Sequence, residues 1–238
     1  MDYTLFRALM SMINTKLIYA NIFAFAAFTI FFIVFPESDI QIANYFYDSE
    51  LGFIYKTNIV VQFFYKSIPV ITKIFAVACL LYMIYLYMKH RKAKLILNSA
   101  AFFLFATAVI SPGLVVNTVL KDNFGRARPR QIKEFNGNKE FTKAFIITNQ
   151  CEKNCSFSSG HAAMGFYFSA IAYIASTLYF SRIYLLGIVF GASVGLSRII
   201  MGGHFASDVV TSALIVLLLN HLIFIWWKKK TLKSTAQQ

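Results

Sequence analysis

Charge is scarce in this sequence for its length: Asp, Glu, Lys and Arg make up 14% of 238 residues. Soluble domains carry about 25%, so an ordinary water-exposed surface is excluded. Acid is scarcer than base, with 10 Asp and Glu against 23 Lys and Arg. Cysteine is rare as well, and three residues are too few for a disulfide framework. Cys79 lies in an apolar run and reads as a small core residue. Cys151 and Cys155 stand in a polar loop that offers no matching pair of nearby ligands, so no metal site is expected there. A bond between them could staple the loop if it lies outside the cytoplasm. The first apolar run, 17–35, lacks a small-residue cleavage site and is expected to be a retained helix rather than a signal peptide.

What is present in quantity is apolar surface: 58% hydrophobic residues, with 26 Phe. Several runs approach the about 20 residues a helix needs to cross a bilayer. The expected fold is all-α, a single polytopic membrane domain over 1–238. Its six transmembrane helices are placed at about 17–35, 68–88, 95–120, 161–180, 183–200 and 205–227. Pro36-Glu37 stops the first. The acids and aromatics of 37–66 predict a loop with one or two short amphipathic helices at the interface. Ser111-Pro112-Gly113 predicts a kink in the third span, and Ser181-Arg182 a tight turn between the fourth and fifth.

A net charge of +13 would suggest nucleic acid in a soluble chain. Here much of it marks topology, and no nucleic-acid partner is expected. Arg7, Lys16, Arg182 and the basic stretches 89–94 and 228–233 all fall on one side of a six-span arrangement. The positive-inside rule makes that side the cytoplasm, with both termini there. The loop 121–153 carries eight Lys or Arg on the opposite face. Charge kept against the topology bias invites a functional explanation.

The polar residues at the ends of the spans on that opposite face converge. The third span ends at Lys121, with Arg126 and Arg128 beyond it. The fourth begins at Ser159-Gly160-His161, the fifth ends at Ser197-Arg198, and the sixth begins at His204 with Asp208 one turn on. His204 and Asp208 at i and i+4 are expected on one helix face, where Asp208 would accept from one ring nitrogen and leave the other able to attack. Lys121, Arg128 and Arg198 have no carboxylate close in sequence, and guanidinium forks suit phosphate oxygens. Ser159 and Gly160 at a helix start could add a hydroxyl and a backbone N–H, or serve as an ordinary cap. His161 in the same layer could protonate a leaving oxygen. Arg126, Arg130, Lys133 and Lys139 fit headgroup snorkelling better. His90 and His221 lie toward the cytoplasmic side and carry no expected role.

These residues form three motifs, and through them the chain resembles the type 2 phosphatidic acid phosphatase superfamily. Lys121 through Arg128-Pro129 (KDNFGRARP) is similar to its first motif. Ser158-Ser159-Gly160-His161 is similar to the second, with serine at 158 in place of the leading proline. Ser197-Arg198, His204 and Asp208 (SRIIMGGHFASD) are similar to the third. The resemblance implies a lipid phosphatase that needs no metal and no cofactor. His204 would attack phosphorus, Asp208 would orient it, and His161 would protonate the departing oxygen. Lys121, Arg128, Ser159, Gly160 and Arg198 would hold the phosphoryl oxygens. GRARP and the block around Cys151 and Cys155 most resemble bacterial inner-membrane lipid A phosphatases acting on the periplasmic face, at the 1- or 4′-position. Arg126, Arg130 and Lys133 would suit a large anionic headgroup. Undecaprenyl diphosphate, phosphatidylglycerol phosphate or a lipid-to-lipid phosphate transfer are the alternatives. The implied partner is a membrane lipid, with no obligate protein.

Overall fold

The computed structural model describes residues 3–235, with side chains from 15 to 232. Arg7 and Lys233, counted above among the basic residues of one face, have side chains outside the described residues. Among the described residues the fold is mainly helical, with one two-stranded ribbon and a long irregular loop, 124–159, that holds two short 3-10 turns. Among the described residues five helices are long and apolar enough to cross a membrane: Thr15–Val34, Ile59–His90, Ala100–Asn123, Thr177–Ile200 and Ala206–Leu232. Their outward faces carry large apolar side chains such as Phe23 and Leu178, each 76% exposed, as lipid contact requires.

The elements follow one another in this order. α1 (Tyr3–Val34) ends at Pro36, and α2 (Ser38–Asn44) lies beyond it. β1 (Tyr47–Asp48) and β2 (Gly52–Phe53) form an antiparallel hairpin. The 37–66 region thus holds one short helix and a hairpin. α3 (Ile59–His90) then begins nine residues before the expected Ile68, because the Asn58 side chain caps it by accepting from the N–H groups of Val60 and Val61.

α4 (Ala93–Leu97) is a separate short helix, since Ser99 caps a new start and α5 runs Ala100–Ala108. The Ser111-Pro112-Gly113 interruption is absorbed without a break. The chain widens into a π-helical stretch, Val109–Leu120, and rejoins α6 (Lys121–Asn123) with the Lys121 N–H bonded to the Val116 carbonyl. Proline removes an amide donor from the ladder, and a wider turn re-satisfies the neighbouring groups.

The expected fourth span is the element that departs most. α7 covers only Gly160–Tyr167 and continues as a tighter 3-10 stretch, Phe168–Ile174. The turn falls at Ala175-Ser176, and α8 runs unbroken from Thr177 to Ile200 through Ser181-Arg182. Neither of those residues breaks a helix, whereas the extended backbone at Ala175 and Ser176 does. Small residues bring this inner hairpin together: a Cβ on Gly187 would sit 2.5 Å from the Ser169 Cα, and one on Gly191 would sit 2.4 Å from the Phe166 ring. Such close backbone approach is how membrane helices pack without a hydrophobic driving force. α9 (Ala206–Thr235) closes the bundle. Phe103, Tyr167, Tyr173, Phe224 and Trp227 fill its interior, and Cys79 joins them as a buried free thiol. His221, also buried, meets the Tyr173 hydroxyl at 3.0 Å. A second, smaller core of Ala43, Phe53, Ala127, Ile132, Phe135 and Phe205 caps the end where α2, the hairpin and the long loop meet.

Candidate active site

The capped end of the bundle gathers the three motifs. α9 begins at Ala206, so His204 lies in the loop before it rather than on its first turn. Asp208 reaches back from the third helical position to accept from the Phe205 N–H at 2.9 Å, a cap by a side chain inside the helix. This brings its Oδ2 to 3.6 Å from His204 Nδ1. The nearer partner of that nitrogen is the Ser156 carbonyl, at 2.7 Å. The expected direct His–Asp bond is therefore replaced by a carbonyl contact with the carboxylate alongside. The loop leading to α7 approaches close enough to put its own acceptor first.

The substitution decides the tautomer. A carbonyl can only accept, so Nδ1 carries the proton and Nε2 presents a lone pair. Nε2 is buried and has no hydrogen-bond partner among the described residues. Burial holds the His204 pKa down to about 3, with Arg198 and Arg128 adding to the effect and Asp208 opposing it. The ring is neutral at physiological pH.

Around this ring stand the cations. Lys121 and Arg128 are each 8% exposed and Arg198 is 2% exposed. Among the described residues none of the three lies within ion-pair distance of a carboxylate. Arg128 donates from Nη2 to the Asn154 carbonyl at 2.7 Å. Arg198 donates to Met201 Sδ at 3.2 Å, and its buried Nε has no partner among the described residues. Gly203 lets the guanidinium come close: a Cβ there would sit 2.4 Å from Arg198 Nη2. All three cations, with His204, act electrostatically on His161. The His161 ring stacks on Tyr65 with centroids 5.0 Å apart, and the Arg198 guanidinium lies 4.3 Å from the same ring. Tyr65, from α3, is thus a platform under both.

Ser159 is the cap residue of α7, its Oγ accepting from the Ala162 N–H at 3.4 Å. Its own N–H reaches the Asp208 carbonyl at 3.3 Å, tying the second motif to the third. Gly160 is buried beside Asn117, where a Cβ would meet Oδ1 at 2.1 Å. Ser158 is fully buried, and its hydroxyl has no partner among the described residues. Cys151 and Cys155 form a disulfide, with Cα atoms 5.6 Å apart, in the loop that carries Asn154.

Arg126 overturns its expected place. It is 1% exposed and does not reach toward lipid headgroups. Its Nη1 donates to Asp208 Oδ1 at 2.6 Å and to Ser207 Oγ at 2.8 Å, and its Nη2 donates to Asp39 Oδ2 at 2.9 Å. Nε donates to the Thr142 carbonyl at 2.8 Å, and the Phe205 ring lies 4.1 Å from the guanidinium carbon. Asp39, 1% exposed on α2, also accepts from the Ser207 N–H at 2.9 Å and hydroxyl at 2.5 Å. Its pKa is raised by burial and by the charge of Asp208, against the pull of Arg126. The Asp208 carboxylate is completed by the Ser156 hydroxyl at 2.5 Å. Lys133 pairs in solvent with Glu140, both more than 60% exposed.

The structure therefore brings together Lys121, Arg128, Ser159, Gly160, His161, Arg198, His204 and Asp208. It adds three residues that sequence reasoning passed over, Asp39, Ser156 and Tyr65, and moves Arg126 from the headgroup role expected of it to the carboxylates of the site. Arg126 carried a signal, since it sits two residues before Arg128 in a motif already singled out. Asp39 and Tyr65 carried none, because each looks like one more acid or aromatic of an interfacial loop.

Comparison with known proteins gives the family. The PAP2 superfamily model matches residues 99–232, which contain all three motifs. The lipid A 4′-phosphatase of Francisella tularensis subsp. novicida (strain U112) is 36% identical over 214 residues, covering 84% of this chain and 91% of that protein. A Rhizobium leguminosarum protein of the same name is 36% identical over 105 residues, 44% of this chain and 45% of its own length. One from Rhizobium etli is 33% identical over 102 residues, 42% of this chain and 39% of its own. No solved structure matches the chain. With the family match spanning every motif residue and one relative aligned along most of both chains, this protein belongs to the PAP2 superfamily.

Proposed function

We propose that the chain removes the 4′-phosphate of lipid A at the periplasmic face of a bacterial inner membrane, through a phosphohistidine on His204. The observation that carries this reading is the buried His204 ring. Nδ1 is committed to a carbonyl, and Nε2 has no partner among the described residues. Arg198 and Arg128 act on the ring while Lys121 joins them in acting on His161, none of the three within ion-pair distance of a described carboxylate. A neutral imidazole with its lone pair toward an anion-binding cluster is what in-line attack on a phosphate monoester needs.

In the proposed course, Lys121, Arg128 and Arg198, with the Ser159 hydroxyl and the Gly160 N–H, hold the non-bridging oxygens. Nε2 of His204 forms a bond to phosphorus as the bond to the sugar oxygen breaks. His161 delivers a proton to that departing oxygen. A water deprotonated by His161 then attacks phosphorus, releasing inorganic phosphate and the free Nε2. Asp208 does not take the proton. It stabilises the ring through charge, and Arg126 and Ser156 fix its position. The names of the three relatives support the substrate, and the site at one end of the bundle suits a phosphate at the membrane surface with tails in lipid.

The test is phosphate release by the purified protein from lipid A bearing both phosphates, with the product mapped by mass spectrometry. Loss of the 4′-phosphate, abolished in a folded His204→Ala protein, is expected. Loss of the 1-phosphate alone, or undiminished release by His204→Ala, overturns the reading.

A further inference from the structure

Beside the phosphate-facing groups lies a cavity of about 730 Å³, open to the aqueous end of the bundle, that the proposed chemistry does not use. That size falls within the roughly 300–1,000 Å³ of small-molecule sites. Lys121, Arg128, His161 and His204 are not among its lining residues, so it is not the phosphate pocket itself. It shares walls with that pocket: Tyr65, on which His161 and Arg198 stack, and Met201, whose sulfur Arg198 contacts.

Its far wall is a triangle of aromatic rings from the hairpin and the long loop. Tyr47, Phe53 and Phe135 meet with centroids 5.3, 4.9 and 5.4 Å apart. Phe53 also packs flat on Gly202, which has φ +61°, and a Cβ there would sit 2.3 Å from its ring. The wall is thereby anchored to the loop that carries His204. The polar lining is of two kinds. Asn136 donates to the Ser49 carbonyl at 3.0 Å and Gln62 to the Lys56 carbonyl at 2.5 Å, so each amide is fixed with its oxygen free to accept. Lys56 and Arg130 line the cavity too, and neither makes an ion pair among the described residues.

An acyl chain does not match a cavity edged by two cations and a carboxylate, Glu50. A bare phosphate needs neither this volume nor an aromatic wall. A sugar ring matches both, with its C–H face on Tyr47, the half-buried ring that Phe53 and Phe135 back from the core, and its hydroxyls on the amide oxygens. The unpaired cations then await an anionic substituent on that sugar. We infer that this cavity is a headgroup subsite that binds a sugar carrying a second anionic group while the first phosphate lies at His204. The inference rests on the proposed lipid A phosphatase reading and names how that site would choose its substrate.

The experiment compares KM and kcat on lipid A bearing both phosphates, on lipid A lacking the 1-phosphate, and on phosphatidic acid. The Lys56→Ala/Arg130→Ala double variant and Thr57→Trp, which places bulk in an exposed part of the lining, are measured beside the unmodified protein. For the double variant, KM on doubly phosphorylated lipid A is expected to rise at least about tenfold, the loss of one or both charge-assisted contacts. Little rise is expected on the other two substrates. Thr57→Trp is expected to weaken both forms of lipid A and spare phosphatidic acid. Equal losses on all three substrates, or no loss with either variant, overturn the subsite. Failure of the unmodified protein to act on any lipid A while hydrolysing phosphatidic acid overturns the proposed function instead, before a variant is measured.

Discussion

Arg126 and Arg128 stand two positions apart in GRARP, and the fold sends their guanidinium groups into opposite circumstances. Arg126 lies between two carboxylates, Asp39 and Asp208, and is 1% exposed. Arg128 touches a backbone carbonyl and meets no carboxylate among the described residues. The first is neutralised and holds the acid of the site in place. In the proposed function the second keeps its charge for an anion that arrives from outside. One side of the site is thus a closed electrostatic structure and the other an open one. The contrast explains how a cluster of cations can persist beside a buried carboxylate without being quenched by it.

The comparison breaks most visibly at Arg126. Arg126→Ala leaves two buried carboxylates without their cation, a change expected to cost about 3–5 kcal/mol of stability. Thermal unfolding in detergent would show it, and a melting temperature equal to the unmodified protein's would count against the closed structure. Arg128→Ala is expected to do the reverse. Its melting temperature stays close to the parent's, while kcat/KM for lipid phosphate falls by about 10²–10³, the effect of removing one donor to a developing charge. Steady-state phosphate release measures this, and parallel losses of stability in both variants would erase the distinction.

His204 sharpens the comparison through pH. Burial lowers its pKa from 6.5 to about 3, so below pH 6.5 the unfolded chain binds a proton that the folded one refuses. The stability from this group is complete above about 6.5 and is lost as pH falls toward about 3, at up to about 1.4 kcal/mol per pH unit. Melting temperatures of the parent and of His204→Asn, followed from pH 7 to pH 4, should converge as the parent loses that increment. Lys133→Ala is the smallest case. Its pairing with Glu140 is solvent-exposed, so neither melting temperature nor turnover is expected to change.

Much of the site was legible because hydropathy places the ends of spans, and alternate ends fall on one face. Lys121, His161, Arg198 and His204 could be brought to that face from the sequence alone. The His204–Asp208 spacing was misread as a helical i and i+4 pair, since the boundary at Ala206 follows from Asp208 capping Phe205. The short fourth element was misread as well. Its apolar run suits a span, but close packing against the glycines of α8 tightens it into a 3-10 stretch, Phe168–Ile174.

Composition and the spacing of polar residues are enough to specify a helical membrane protein with three polar motifs at one end. Burying that many apolar residues in lipid requires helices, and the motif residues sit where helices stop. Which cations are open and which are closed depends on how distant segments pack. Asp39 reaches Ser207 and Arg126 across 168 and 87 residues of chain. A buried charge is set by whatever lies within a few ångströms of it, and that distance is a property of the fold, not of the spacing along the chain.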